Sequence, residues 1–157
     1  MRRAIELADA AVEHGDVPIG AVLVLADGRT IESCNEKELR RDATAHAEML
    51  ALRAAAQLAG AWRLGGATMY VTKEPCVMCA GALVAARIGR LVFGCYDPKG
   101  GAAGSVLDLV AHPALNHRIE VQGGVLEAET AGQLQAFFAA KRRRPRAGDG
   151  ESERDIR

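Results

Sequence analysis

No apolar run in this sequence is long enough to cross a bilayer. The longest clean one, PIGAVLVLA at 18–26, has nine residues, against roughly 20 for a spanning helix. The opening MRRAIELADAAVEHGD carries acidic residues early and no cleavage-site pattern, so no signal peptide is expected and the expected location is the cytoplasm. An excess of one charge is missing too, with 20 Lys plus Arg against 20 Asp plus Glu. Any grip on a polyanion therefore has to come from a local patch. One candidate is KRRRPR at 141–146, inside a tail (141–157) that holds 7 basic and 4 acidic residues, leaving it at +3 and the body at −3. The plainer reading of that stretch is a solvated helix end and a frayed tail. Cysteine is sparse: Cys34, Cys76, Cys79 and Cys95. A chain of 157 residues can bury a core without disulfides, and two of the four stand in C-x-x-C, so metal or redox chemistry is the better expectation. There is no internal repeat.

What is present reads as one domain of alternating elements. Residues 2–14 have apolar positions at helical spacing and stop at Gly15. Residues 19–35 read as two strands joined at Asp27-Gly28, a hairpin signal. Residues 45–60 read as an Ala- and Leu-rich helix ending at Gly60, with Thr44 or Asp42 as its N-cap. A buried strand is expected at 67–72, a helix at 76–89 led by Pro75, and a strand at 90–95. A Gly-rich loop (96–105), a short helix (106–112), a strand (117–124) and an amphipathic helix (127–143) follow. Strands alternating with crossover helices predict a mixed sheet covered on both faces. The domain is expected over 1–144 and disorder over 145–157, where Pro, Gly and charge take over.

Two short stretches carry the chemistry. TAHAEML (44–50) contains His46 and Glu48; EPCVMC (74–79) contains Cys76 and Cys79. Each lies where the chain enters a helix, and sites in such sheets lie at strand ends. Cys76 and Cys79 are i and i+3, on one helical face, and can share a metal ion. His46 and Glu48, two apart, would point roughly 200° apart in mid-helix. They converge only at a first turn, which a boundary near residue 44 permits. One His and two Cys leave the fourth position of a tetrahedral zinc open, the pattern of catalytic sites, and zinc brings the pKa of a water there towards neutrality. A carboxylate beside that water, off the metal, can carry its proton, and Glu48 has the chemistry to do so. The alternatives are a redox C-x-x-C pair or a closed structural site with Cys34 or Cys95 as fourth ligand.

H-x-E followed by P-C-x-x-C is the zinc nucleobase deaminase signature. Beyond it, VPIGAVLV, TAHAEMLALR, EPCVMCAGALVAARIGRLVFG, DPKGGAAGS, HPALNHRIEV and LQAFFAAKRR resemble the bacterial tRNA-specific adenosine deaminases over about residues 4–143. Small-molecule cytidine and guanine deaminases share the metal motif; DPKGGAAGS, NHR and the closing FF…KRR helix favour the tRNA enzymes. The resemblance implies a cytidine-deaminase-like three-layer α/β/α sandwich with a five-stranded mixed sheet. It implies a homodimer with one Zn2+ per subunit that turns the wobble adenosine of tRNA, an arginine tRNA above all, into inosine. The partner would be the anticodon stem-loop. His46, Cys76 and Cys79 match the zinc ligands, Glu48 the proton shuttle and Asn35 the residue touching the flipped nucleotide. Val17, Pro18, Ala47 and Pro75 would wall the pocket. Asp97, Lys99, His112 and Asn116 fall in segments that line the RNA-facing surface. Lys73 departs from the family, which usually has an uncharged residue there; its ammonium needs a partner, for which Glu74 or an RNA phosphate could serve.

Overall fold

The computed structural model describes residues 1–143. The expected disorder at 145–157, and Arg144–Arg146 of the basic stretch, lie outside them. Element order is α1 (Arg2–Glu13), β1 (Gly20–Val24), β2 (Thr30–Cys34), α2 (Lys37–Arg40), α3 (Ala47–Ala59), β3 (Thr68–Lys73), α4 (Val77–Ala85), β4 (Arg90–Cys95), β5 (Glu120–Gln122) and α5 (Glu127–Arg143). The five strands lie in the order β2-β1-β3-β4-β5. β1 is antiparallel to both β2 and β3, while β3, β4 and β5 run parallel. The sheet is therefore mixed, as expected, with α4 as the crossover between the parallel pair β3 and β4. The hairpin turn falls where Asp27-Gly28 predicts, with Gly28 at φ +87° and Asp27 Oδ1 accepting the Arg29 N–H at 3.0 Å.

Alternation along the strands assigns the two faces. Ala21, Leu23, Met69, Val71, Leu91 and Phe93 share one buried cluster with Ala47, Ala51 and Ala55 of α3 and Ala80, Leu83 and Val84 of α4. The intervening positions meet α1 and α5. A Cβ on Gly20 would lie 2.0 Å from the Ala4 carbonyl oxygen, and one on Gly94 would lie 2.6 Å from Thr130 Oγ1 of α5. Helices α1 and α5 contact each other over that face, and Gln133 Nε2 donates to the Ile5 carbonyl at 3.0 Å. The result is three layers. Only 4% of residues are aromatic, and α1 instead buries a stripe of Ala4, Ala8 and Ala11 at 0% exposure. Small side chains on the helix and glycine on the strand let the backbones approach closely.

Three sequence expectations change. Residues 106–112 are not helical: their backbone groups pair back onto the Gly-rich loop, with Val106 and Leu107 N–H donating to the Gly101 carbonyl and Leu109 N–H to Ala102. The strand expected at 117–124 is only Glu120–Gln122, all exposed and paired with Arg90–Val92. The N-cap of α3 is His46, in extended conformation (φ −74°, ψ 150°); Thr44 and Asp42 form the turn before it, Asp42 Oδ1 accepting from Thr44 N and Oγ1 at 2.8 Å each. No described helix is long and apolar enough to cross a membrane.

Gly94→Ala would force its new methyl to within 2.3 Å of the Thr72 carbonyl oxygen as well as against Thr130. We expect a loss of about 3 kcal/mol, read as a drop of about 9 °C in the melting midpoint. An unchanged midpoint would contradict this packing.

Candidate active site

The site assembles where two helices on the same face of the sheet begin. The extended backbone of β2 and the loop after it hands over at His46, and the extended end of β3 hands over at Cys76, each as the last non-helical residue before α3 and α4. As N-caps they point past the helix ends rather than along them. Cys79 follows one turn into α4 and is fully buried. His46 Nδ1 lies 3.7 Å from Cys76 Sγ and 3.5 Å from Cys79 Sγ. One donor atom from each of the three residues falls within 4.8 Å of the others, a group able to hold a metal ion. Among the described residues neither Cys34 nor Cys95 joins it; Cys95 Sγ donates instead to the Thr72 carbonyl at 3.7 Å. The closed four-ligand site weighed from the sequence is thus not formed.

Glu48 occupies the first turn of α3 at 4% exposure, the position that lets it converge with His46. Its Oε2 is buried and has no hydrogen-bond partner among the described residues. Burial pushes its carboxyl above the usual range, against the pull of its own backbone N–H and of His46. The thiols form one coupled pair. Hydrogen bonding from Cys79, followed by His46, brings Cys76 down to about 3, while the same bond and burial push Cys79 up. Hydrogen bonding to Cys76 also raises His46. A metal-ligating set needs both sulfurs as thiolates and His46 neutral, so an ion bound here would displace the protons that these three groups share.

The other residues named from the sequence divide. Asn35 is 2% exposed and runs beside the site, since the Ser33 hydroxyl donates to the Ala47 carbonyl at 2.8 Å and Glu36 N–H to Ala45 at 3.0 Å. Pro18, Ala47 and Pro75 are buried and Val17 half-buried. The Pro75 carbonyl accepts from Ala102 N–H at 2.8 Å, and Cys76 bridges to Gly101, so the Gly-rich loop lies against the His-Cys-Cys cluster. Asp97 belongs to that loop, and its Oδ1 accepts from Lys99 N–H at 3.1 Å. Lys99, His112 and Asn116 are exposed, and the bonds of the last two lead elsewhere: His112 Nδ1 accepts from Ala114 N–H at 3.2 Å and the Asn116 carbonyl from Arg87 at 2.9 Å.

Lys73 finds a partner, though neither of those proposed: its Nζ meets Asp97 Oδ2 at 2.6 Å. Glu74 is otherwise engaged. At 2% exposure it accepts from the N–H groups of Asp97 (2.9 Å), Ala103 (3.0 Å) and Ser105 (3.0 Å), and from the Ser105 hydroxyl. Burial works to raise its pKa, but these donors hold it below the usual carboxylate range. Glu74 therefore shapes the 97–105 loop around a buried anion. Sequence reading missed this role, and also that of Asp16, buried at 1% exposure. The available signal was slight: each is an acidic residue one or two places before a proline at the edge of an apolar run.

Known proteins fit this architecture. Residues 1–142 match the model of the MafB19-like deaminase family, and the chain belongs to that family of deaminases. More particularly, it is 48% identical to the tRNA-specific adenosine deaminase of Bacillus subtilis (strain 168), over 94% of this chain and 91% of that protein. It is also 48% identical to the enzyme of the same name from Agrobacterium fabrum, over 90% and 93%. A structure from studies of A-to-I editing by tRNA:A34 deaminases at the wobble position superposes with a TM-score of 0.81 at 47% identity, covering 85% of this chain and 97% of that one. The guanine deaminase of Nitrosomonas europaea shares the fold at a TM-score of 0.74 and 22% identity, covering 87% of this chain and 81% of that one.

Replacing Glu74 by Ala leaves the buried N–H of Ala103, the part-buried N–H groups of Asp97 and Ser105 and the Ser105 hydroxyl without their acceptor. We expect a loss of about 3 kcal/mol, together with faster amide exchange at Asp97, Ala103 and Ser105 and not in β1. Uniform exchange across the chain would mean that Glu74 does not organise this loop.

Proposed function

We propose that the protein is a zinc-dependent hydrolytic deaminase acting on the wobble adenosine of tRNA, with arginine tRNA as its foremost substrate. The observation that carries this is the three-ligand cluster of His46, Cys76 and Cys79 beside a buried carboxylate with one oxygen unsatisfied. The donor set suits zinc. With Zn–N near 2.05 Å and Zn–S near 2.3 Å, tetrahedral geometry sets N···S separations of about 3.6 Å, and those here are 3.5 and 3.7 Å. Three protein ligands leave room for a fourth, where zinc supplies Lewis acidity that makes water a nucleophile near neutral pH.

The chain's own groups do the rest. Glu48, its carboxyl pushed up by burial, takes the proton of the water whose oxygen attacks C6 of adenine. It passes that proton to N1, then takes the proton of the hydroxyl now on C6 and delivers it to the departing amine. Water adds, ammonia leaves and the keto base of inosine remains, so atoms balance without a redox cofactor. Asn35, with Val17, Pro18, Ala47 and Pro75, holds the flipped nucleotide. An anticodon loop lowers the cost of flipping because its bases are already splayed. Asp97, Lys99, His112 and Asn116 meet the RNA from exposed loops. Lys141, Arg142 and Arg143, all exposed at the end of α5, add phosphate contacts. A homodimer with one Zn2+ per subunit, working in the cytoplasm, completes the reading, which rests for these features on likeness to tRNA-specific adenosine deaminases.

The test is inosine formation on an arginine-tRNA anticodon stem-loop with adenosine at the wobble position, run beside free adenosine, guanine and cytidine. Conversion of the stem-loop is expected; conversion of a free base or nucleoside alone would overturn the tRNA substrate. Glu48→Gln should lower kcat by about 10³-fold and retain zinc by elemental analysis. Cys79→Ser should lose zinc as well as activity. Full activity in Glu48→Gln would remove Glu48 from the proton path.

A further inference from the structure

Asp16 has no part in the chemistry above, yet it is 1% exposed and heavily bonded. Glu38 N–H donates to both of its oxygens at 3.1 Å, and Leu39 N–H to Oδ2 at 3.2 Å. His14 Nδ1 lies 3.2 Å from Oδ2. The remaining partner is Asn35, whose Nδ2 donates to Oδ1 at 3.2 Å. Backbone N–H groups can only donate, so both carboxylate oxygens act as acceptors. The end of the Asn35 amide that faces Asp16 therefore has to be its NH2. Turned over, the amide would set oxygen against oxygen in a buried place.

The other end of that amide completes the argument. Asn35 Oδ1 is buried and has no partner among the described residues. Buried polar atoms are nearly always satisfied, and one that is not requires a reason. Asn35 stands beside the metal cluster, and its own N–H is used up on the Ile19 carbonyl at 2.9 Å. A molecule occupying the pocket, water in the empty site and substrate in the filled one, is what can give Oδ1 its bond.

We infer that Asp16 is a positioning residue for the substrate pocket. It acts through Asn35: it pins the amide nitrogen and thereby keeps Oδ1 as the atom offered to the bound nucleoside. The same carboxylate gathers the start of α2, so it ties the pocket wall to the loop that leads to His46. This rests on reading Asn35 as a substrate contact.

A double-mutant cycle tests it. Asp16→Asn preserves shape but can present either a donor or an acceptor, which frees the Asn35 amide to turn over. On the stem-loop, Asp16→Asn should lower kcat/KM about tenfold, while zinc content stays at wild-type level. In the Asn35→Ala background the same change should cost less than about twofold, because the group it acts through is gone. If the two losses multiply, or if Asp16→Asn alone costs less than twofold, the proposal is overturned. Should the wild type convert only a free nucleoside, the tRNA reading fails by itself and the cycle is run on that nucleoside, so the two failures stay separate. Should Asp16→Asn not fold, the wild-type protein decides by NMR. The Asn35 side-chain NH2, assigned by its loss in Asn35→Ala, should keep one proton protected from exchange. Exchange as fast as that of the exposed Asn116 amide would overturn the proposal.

Discussion

The site depends on two helices of one layer starting side by side. His46 and Cys76 each hold the last extended position before a helix, and this is what lets an i, i+2 pair and an i, i+3 pair converge. Within a helix His46 and Glu48 would diverge; across a helix start one caps while the other turns inward. The backbone geometry also sets the orphan N–H groups at the start of α4 beside Cys76, an environment that favours its thiolate. Three candidate ligands and one buried acid then follow from where two helices begin.

That arrangement needs walls that do not move, and here they are held by charge rather than by aromatic bulk. Two buried carboxylates each gather backbone N–H groups, one set from the 97–105 loop and the other from the first turn of α2. Glu74 collects Asp97, Ala103 and Ser105, and Asp16 collects Glu38 and Leu39. Each satisfies donors that no regular element could, which is the general condition for burying a loop. The packing between layers follows the same economy of volume, with glycine under α1 and α5 and alanine stripes along the helices.

Much of this was legible in the sequence. The hairpin at Asp27-Gly28 and the mixed sheet with helices on both faces followed from turn chemistry and periodicity, whereas the four site residues came from the match of H-x-E and P-C-x-x-C to the deaminase signature, spacing alone leaving a redox pair or a structural site open. What was illegible depended on partners far along the chain. VLDLV at 106–110 has the look of a short helix, but its N–H groups go to Gly101 and Ala102, and no local pattern reveals that. The strand after His117 is cut to three residues because its neighbours bond elsewhere: His117 Nε2 lies 2.7 Å from the Ile88 carbonyl, and Gly124 N–H donates to Gly94. The partner of Lys73 was likewise hidden, since Asp97 reaches it only once β3 and β4 lie parallel.

The strand pairing divides the molecule into two local units, the β1–β2 hairpin with α3 and the β3-α4-β4 crossover, joined where β1 meets β3. His46 comes from the first unit and both cysteines from the second. The three-donor set is complete only when the two have docked in register, so an ion held by it would tie the two halves together across their seam and add its binding free energy to folding.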